Sequence, residues 1–151
     1  MPNILALNPK IAFLLFMILD LLCVGMGMGI PIFCIFFGFV VGWYVAGRIT
    51  LHDLNPGDAF SRILRYGVVT SLFTFAVMCA IWGRTILMPF NPAADLKNFG
   101  IPLILYEPKA SFISWLVLMI FISPFLQLLT TIFASYLTLQ RRYKDAEILS
   151  S

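Results

Sequence analysis

The sequence has little charge and few of the residues that build most active sites. Only 11% of its 151 residues are charged, and it contains one histidine. Soluble domains carry about 25% charged residues, so this shortage argues against a water-soluble fold. The net charge of +3 is also too small to indicate nucleic acid as a partner.

Motifs for catalysis and metal binding are missing as well. The chain has no phosphate loop, nucleophile elbow, HExxH motif or pair of catalytic carboxylates. Its three cysteines are scattered through apolar runs without CxxC spacing. His52 and Asp53, with Asp58 nearby, fall short of the three or four ligands of a metal site. An enzyme is therefore the least favoured class, its only candidate residues being these three, and the sequence leaves any cofactor undetermined.

What the chain has in abundance is apolar sequence. Hydrophobic residues make up 61% of the chain, and the run over 11–47 contains one charged side chain, Asp20. Leu22 stands where a lipoprotein signal needs a small residue before Cys23, so we expect the first apolar run to be a retained helix. The composition predicts a single integral membrane domain over residues 1–151.

Helix-breaking residues divide the chain into four apolar segments. Asn8-Pro9 is typical of a helix start, and three glycines and a proline in residues 25–31 predict a turn. A re-entrant loop is the alternative to this hairpin. We predict an all-α integral membrane bundle of four transmembrane helices, spanning about 9–27, 31–47, 66–88 and 109–139.

The remaining segments lie between and beyond the spans. A short interfacial helix is expected to start at Asn55-Pro56 and continue into the third span, and the fourth span should kink at Pro124. In the connector over 89–108, a short helix is expected from Asn91-Pro92 to Lys97, and residues 99–106 are apolar enough to rest on the membrane or to cap the bundle. A charged tail follows at 140–151.

The distribution of positive charge predicts the orientation. With four spans, seven basic residues share one side: Lys10, Arg48, Arg62, Arg65, Arg141, Arg142 and Lys144. Three share the other: Arg84, Lys97 and Lys109. By the positive-inside rule both termini lie in the cytoplasm, in the cell membrane as the expected location, and the connector is extracytoplasmic.

Asp20 is the polar residue that most needs an explanation. It lies about 17 Å along the first span, near the middle of the membrane, where charged groups are costly and are by default candidates for function. It is a proton or cation site, a protonated acid hydrogen-bonded to a neighbouring helix, or a carboxylate whose counter-charge is supplied by a partner protein. Gln127, at similar depth, is the first candidate partner.

Gln127 belongs to a stripe of polar residues spaced by four on the fourth span. The stripe comprises Ser123, Gln127, Thr131 and Ser135. Residues spaced by four share a helix face, and Thr70, Ser71 and Thr74 on the third span are expected to complete a polar layer. The stripe either lines a conduction path or joins helices through hydrogen bonds to helix carbonyls.

Two further sets indicate contacts with protein or lipid. Gly38, Gly42 and Ala46 form a small-residue face that favours close helix packing. Basic residues near the membrane faces favour anionic headgroups or a docking partner; these are Arg62, Arg65, Arg141, Arg142 and Lys144.

These features favour a structural, assembly or accessory subunit of a membrane complex. The expected partners are the lipid bilayer and either other membrane subunits or further copies of the chain. The alternative is a small oligomeric channel or a proton- or ion-coupled carrier that uses Asp20 and the polar stripe.

Overall fold

The computed structural model describes residues 4–26, 32–51, 56–100 and 104–150, which form helices and connecting turns. The α-helices are α1 (Pro9–Met26), α2 (Ile32–Thr50), α3 (Pro56–Trp82), α4 (Pro108–Val117) and α5 (Ser123–Ser150). Short 3-10 helices lie at Ile4–Ala6 and Gly83–Phe90, and a π turn at Leu118–Ile122 joins α4 to α5. No strand occurs within these described ranges.

Four helical segments are long and apolar enough to cross a membrane. They are Pro9–Met26, Ile32–Thr50, Gly57–Phe90 and Pro108–Asp145. The expectation of an all-helical chain with four membrane-spanning candidates is confirmed at this level. The glycine-rich turn at 27–31 lies outside the described residues.

The first helix starts as its sequence predicts. Asn8 Oδ1 accepts a hydrogen bond from the backbone N–H of Lys10 at 3.1 Å, and Asn8 O accepts one from Ala12 N at 2.9 Å. The side chain thus satisfies one of the N–H groups that the first helical turn leaves without a partner. Pro9 occupies the first helical position, where a missing N–H has no cost.

The connector differs from its prediction. Residues 91–97 form turns rather than a short helix, and the helical segment before them is the 3-10 helix Gly83–Phe90. Asn91 Oδ1 accepts a hydrogen bond from Ala93 N at 3.0 Å. An asparagine that bonds two residues ahead in this way closes a turn instead of starting a helix, so the predicted helix from Asn91 to Lys97 was wrong.

The helix predicted to start at Asn55-Pro56 and to continue into the third span is present as one helix, α3, from Pro56 to Trp82. The predicted start of the tail, in contrast, does not mark a helix end. The helix α5 continues to Ser150, which makes residues 140–150 of the predicted tail helical. Residues 140–150 contain no glycine or proline that would end the helix.

Pro124 affects the fourth span through a π turn. Proline has no N–H to donate, and its ring clashes with the carbonyl four residues earlier. Immediately before it, the helix widens into the π turn Leu118–Ile122. Ser123 donates both its backbone N–H and its hydroxyl to Leu118 O, the hydroxyl at 2.7 Å. The wider turn thus relieves the proline and keeps the helix continuous.

The most extensive helix pair is α2 against α5. A Cβ atom added to Gly38 would lie 2.7 Å from Gln127 O, and one added to Gly42 would lie 2.8 Å from Ala134 Cβ. Only glycine leaves room for the backbones to approach this closely. Ala46, on the same face, is fully buried.

Two contacts show which helix ends lie together. Arg48 Nη1 donates to Leu7 O at 2.6 Å, and Arg142 Nη1 donates to Thr50 Oγ1 at 3.0 Å. The start of α1 therefore meets the end of α2, as in an antiparallel hairpin, and the C-terminal part of α5 lies at this same end. We call it the basic end.

The connector caps the opposite end. Leu96 packs against the buried cluster around Phe112, and the rings of Phe99 and Phe112 meet edge to face at 5.2 Å between centroids. Lys109 Nζ lies 5.8 Å from the centroid of the Phe90 ring. Ser111 Oγ accepts a hydrogen bond from Ile104 N at 2.7 Å, which fastens the connector to the first turn of α4.

Candidate functional site

The candidate site is built around Asp20 on α1. The buried residues of α1 are Phe16, Asp20 and Val24, and their spacing of four puts them on one face. The helix is otherwise largely exposed, and Asp20 itself is 0% exposed. The carboxyl group therefore points into the bundle.

Two neighbouring helices supply hydrogen bonds to this carboxyl group. Thr74 Oγ1, on α3, donates to Asp20 Oδ2 at 3.0 Å. Gln127 Nε2, on α5, donates to Asp20 Oδ1 at 3.1 Å. The predicted pairing of Asp20 with Gln127 is thus present, and Thr74 joins it. We call these three residues the Asp20 cluster; it ties α1 to α3 and to α5.

The donors in the Asp20 cluster are neutral. Thr74 Oγ1 also lies 3.2 Å from Thr70 O, so its single proton can go either to that carbonyl or to Asp20. When Thr74 donates to Thr70 O, its hydroxyl oxygen can accept a hydrogen bond from a protonated Oδ2, and the site then holds a neutral acid. Gln127 Oε1 is buried and has no hydrogen-bond partner among the described residues.

The rest of the polar stripe is used for helix contacts. Thr131 donates to Gln127 O at 2.8 Å. Ser135 Oγ lies 2.8 Å from Thr131 O and 3.0 Å from Gly42 O on α2. Thr130 Oγ1 likewise lies 2.8 Å from Ile35 O on α2. These hydroxyl groups bond carbonyl groups of α5 and α2, as residues that join helices do.

The third span joins the fourth through a further hydroxyl group. Ser71 donates to Pro124 O at 2.6 Å, and both residues are buried. Thr70 donates within α3, with Tyr66 O and Gly67 O both at 2.9 Å. Of the layer expected on the third span, Thr74 contacts Asp20, whereas Ser71 contacts the first turn of α5.

The small-residue face has its partner within the chain. Gly38 and Gly42 pack on the backbone of α5. The sequence left open whether this face contacts the same chain or another, because spacing shows a packing face without identifying the helix that covers it. In the structure Gly38 and Gly42 lie against α5, so the helix that covers this part of the face belongs to the same chain.

The basic residues divide into two kinds. Arg142 is half-buried and bonded to Thr50, so it contributes to the fold. Four others are exposed: Arg62, Arg65, Arg141 and Lys144. His52 and Asp53 lie outside the described residues. Asp58 is exposed, and no group of three His, Cys, Asp or Glu residues suited to a metal ion occurs within the described ranges.

A cavity of about 520 Å³ between α1, α2 and α3 was missed by the sequence analysis. Arg48, Arg62, Tyr44 and Tyr66 are among its lining residues, and Arg48 Nη1 donates to Tyr44 Oη at 3.2 Å. The spacing of four between Tyr44 and Arg48 was the available signal, because it places both on one face of α2. The described lining includes none of the three residues of the Asp20 cluster.

Comparison of the chain with protein-family models, with curated proteins and with solved structures found no match.

Proposed function

We propose that this chain is a structural, assembly or accessory subunit of a complex in the cell membrane, with both of its termini in the cytoplasm. The observation that carries the proposal is that Thr74 and Gln127 donate hydrogen bonds to the Asp20 carboxyl group, which is fully buried. The most conspicuous polar group of the spans thus serves to hold α1 against α3 and α5.

The use of the stripe on α5 supports the same function. Thr131 and Ser135 satisfy their hydroxyl groups on helix carbonyls, and Gly38 and Gly42 admit the α5 backbone. Polar and small residues in the interior are accounted for by helix packing. A bundle built in this way presents apolar side chains outward, to lipid or to the helices of other subunits.

The first helix is the best candidate for contact with partner subunits. Its inward face is one residue wide, and several of its large side chains are exposed. They include Leu14, Ile18, Leu21 and Leu22, which are 56%, 49%, 49% and 54% exposed. Such a surface is compatible with lipid on all sides or with a second membrane protein along α1.

The orientation rests on the basic end. The contacts of Arg48 with Leu7 and of Arg142 with Thr50 hold the start of α1 and the C-terminal parts of α2 and α5 together. Seven basic residues belong to these segments and to the start of α3. Because basic residues accumulate in cytoplasmic segments, we assign this end to the cytoplasm.

Native mass spectrometry of the protein gently extracted from its own membrane tests the proposal. We expect other membrane proteins bound in a fixed ratio. We expect that ratio to be kept when salt screens the exposed charges of the basic end, because apolar helix contacts do not depend on ionic strength. A bare monomer, or a homo-oligomer alone, would contradict the accessory function.

A second candidate is a proton- or ion-coupled carrier, probed at the same residues. Gln127 Oε1 favours it, since a buried acceptor without a partner among the described residues is uncommon, and beside Asp20 it could coordinate a cation or accept a hydrogen bond from a bound proton carrier such as water. The test is flux through vesicles that contain the protein or its Asp20→Asn variant. Loss of a measured proton or cation flux in a variant that still folds supports the carrier, and equal flux in both proteins removes it.

A further inference from the structure

The cavity between α1, α2 and α3 has the size and shape of a site for one lipid chain. Its volume of about 520 Å³ lies within the range of about 300–1,000 Å³ found for ligand pockets. Along α1 its lining extends from Pro9 to Leu19, which is about 15 Å of helix. That length matches half of a hydrocarbon core about 30 Å thick.

The walls of the cavity are apolar over this length. Ala12, Phe13 and Phe16 of α1 face Phe37 and Val41 of α2. The rings of Phe16 and Phe37 stack with their centroids 5.7 Å apart. Because these walls cannot hydrogen-bond water, an acyl chain is a better occupant than solvent.

The cavity is cationic where it reaches the basic end. Arg48 and Arg62 line it there together with Tyr44 and Tyr66, and no carboxylate is among the described residues that line it. Hydrogen bonds to Leu7 O and to Tyr44 Oη hold the Arg48 guanidinium in place. Arg62 comes from α3, so the two positive charges belong to different helices and face one opening.

We propose that this cavity binds an anionic phospholipid, with one acyl chain between α1, α2 and α3 and the headgroup phosphate at Arg48 and Arg62. Guanidinium groups bind phosphate through paired, charge-assisted hydrogen bonds. The cationic opening and the apolar walls complement the two halves of such a lipid. None of the three residues of the Asp20 cluster is among the described residues that line the cavity.

The test uses the full-length protein in a neutral detergent, titrated with phosphatidylglycerol or with phosphatidylcholine carrying the same acyl chains. Native mass spectrometry counts the lipids that stay bound. We expect one phosphatidylglycerol to bind in preference to phosphatidylcholine. Arg62→Gln should weaken the binding of phosphatidylglycerol about fivefold, which is the effect expected of one basic residue near an anionic lipid. It should change the binding of phosphatidylcholine little.

Two control variants locate the charge effect. Arg65→Gln removes the same charge from the same helix at an exposed position outside the cavity lining, and it should leave the preference unchanged. Arg141→Gln removes a charge from a second groove, between α2 and α5, and should also leave it unchanged. If either control variant lost as much of the preference for phosphatidylglycerol as Arg62→Gln does, the proposal would be overturned.

A third variant tests the acyl chain. Ala12→Phe adds a ring inside the cavity without changing the charge, and it should weaken the binding of both lipids by a similar factor. Unchanged phosphatidylglycerol binding in Ala12→Phe would mean that the headgroup binds alone, as free phosphate would, and the proposal would fall. Equal affinity of the unaltered protein for the two lipids would overturn it as well.

Discussion

Gln127 on α5 donates a hydrogen bond from Nε2 to Asp20 Oδ1 on α1, at 3.1 Å and across 107 positions of the sequence. With the Thr74 bond at 3.0 Å, it gives α1, the least buried of the four candidate spans, polar anchors on two other helices. Helices in a membrane have no hydrophobic effect to bring them together, so close packing and interhelical hydrogen bonds carry much of their association. The Asp20 cluster supplies the hydrogen bonds for α1.

Replacement of Gln127 by leucine should loosen α1. The variant removes the donor to Asp20 Oδ1, and we expect the free energy of unfolding in detergent micelles to fall by about 1–2 kcal/mol. Leu126→Ala is the matched control, because Leu126 is the preceding residue on α5 and is 36% exposed. An equal loss in the two variants would contradict a specific bond at Gln127.

Gly42→Ala should force α2 away from α5. The new Cβ would lie 2.8 Å from Ala134 Cβ and 3.0 Å from Ser135 N, and overpacking of this kind costs about 1–3 kcal/mol. Gly25→Ala on α1 is the control, since an added Cβ there meets nothing within 4 Å. Thermal unfolding of both variants measures the difference. Gly42→Ala as stable as Gly25→Ala would show that the helices can separate at no cost.

Some of this arrangement could be predicted from sequence because it depends on local periodicity. Asn8-Pro9 marks a helix start through bonds to its immediate neighbours, and the spacing of Ser123, Gln127, Thr131 and Ser135 places them on one face. Depth along the spans then pairs Gln127 with Asp20. These are consequences of helix geometry alone.

Other features depend on contacts between distant segments and were missed. The turn at Asn91 was predicted as a helix because Asn-Pro occurs both at helix starts and in turns. The bond from Ala93 N to Asn91 Oδ1 shows that here it forms a turn. The partner of Gly38 and Gly42 follows from how the helices assemble. The cavity likewise depends on how α1 packs against α2 and α3, and the sequence of one helix does not determine that packing.

The connector should carry an aspartate, Asp95, whose pKa lies below its ordinary value. Hydrogen bonds from the Asn98 side chain, at 2.7 Å, and from the Asn98 backbone N–H, at 3.3 Å, lower the pKa of Asp95 from its ordinary value of 3.8. These bonds therefore stabilise the turn above that ordinary pKa, and their contribution is lost as the pH falls through the lowered pKa. NMR titration should show that Asn98→Ala returns the Asp95 pKa toward 3.8. No change of the Asp95 pKa in that variant would contradict the side-chain bond from Asn98.

The proposed orientation predicts which residues can be labelled from outside the cell. Asn98→Cys in the connector should react with a membrane-impermeant maleimide on intact cells, whereas Lys144→Cys near the end of α5 should react only after permeabilisation. Both positions are exposed in the structure, so access to the reagent is decided by the membrane. The reverse pattern would place the basic end outside and contradict the assignment.

The most direct test of the account compares the free energies of unfolding of Asp20→Asn and Asp20→Leu in micelles. Asparagine can still accept from Gln127 Nε2, and its amide can donate to Thr74 Oγ1 while Thr74 donates to Thr70 O. We therefore expect Asp20→Asn to stay within about 0.5 kcal/mol of the unaltered protein. We expect Asp20→Leu to lose about 2 kcal/mol, because the buried Gln127 Nε2 loses its acceptor while Thr74 keeps only its bond to Thr70 O. If asparagine destabilised the protein as much as leucine, the cluster would require a carboxyl group, and Asp20 would not be a hydrogen-bonding anchor.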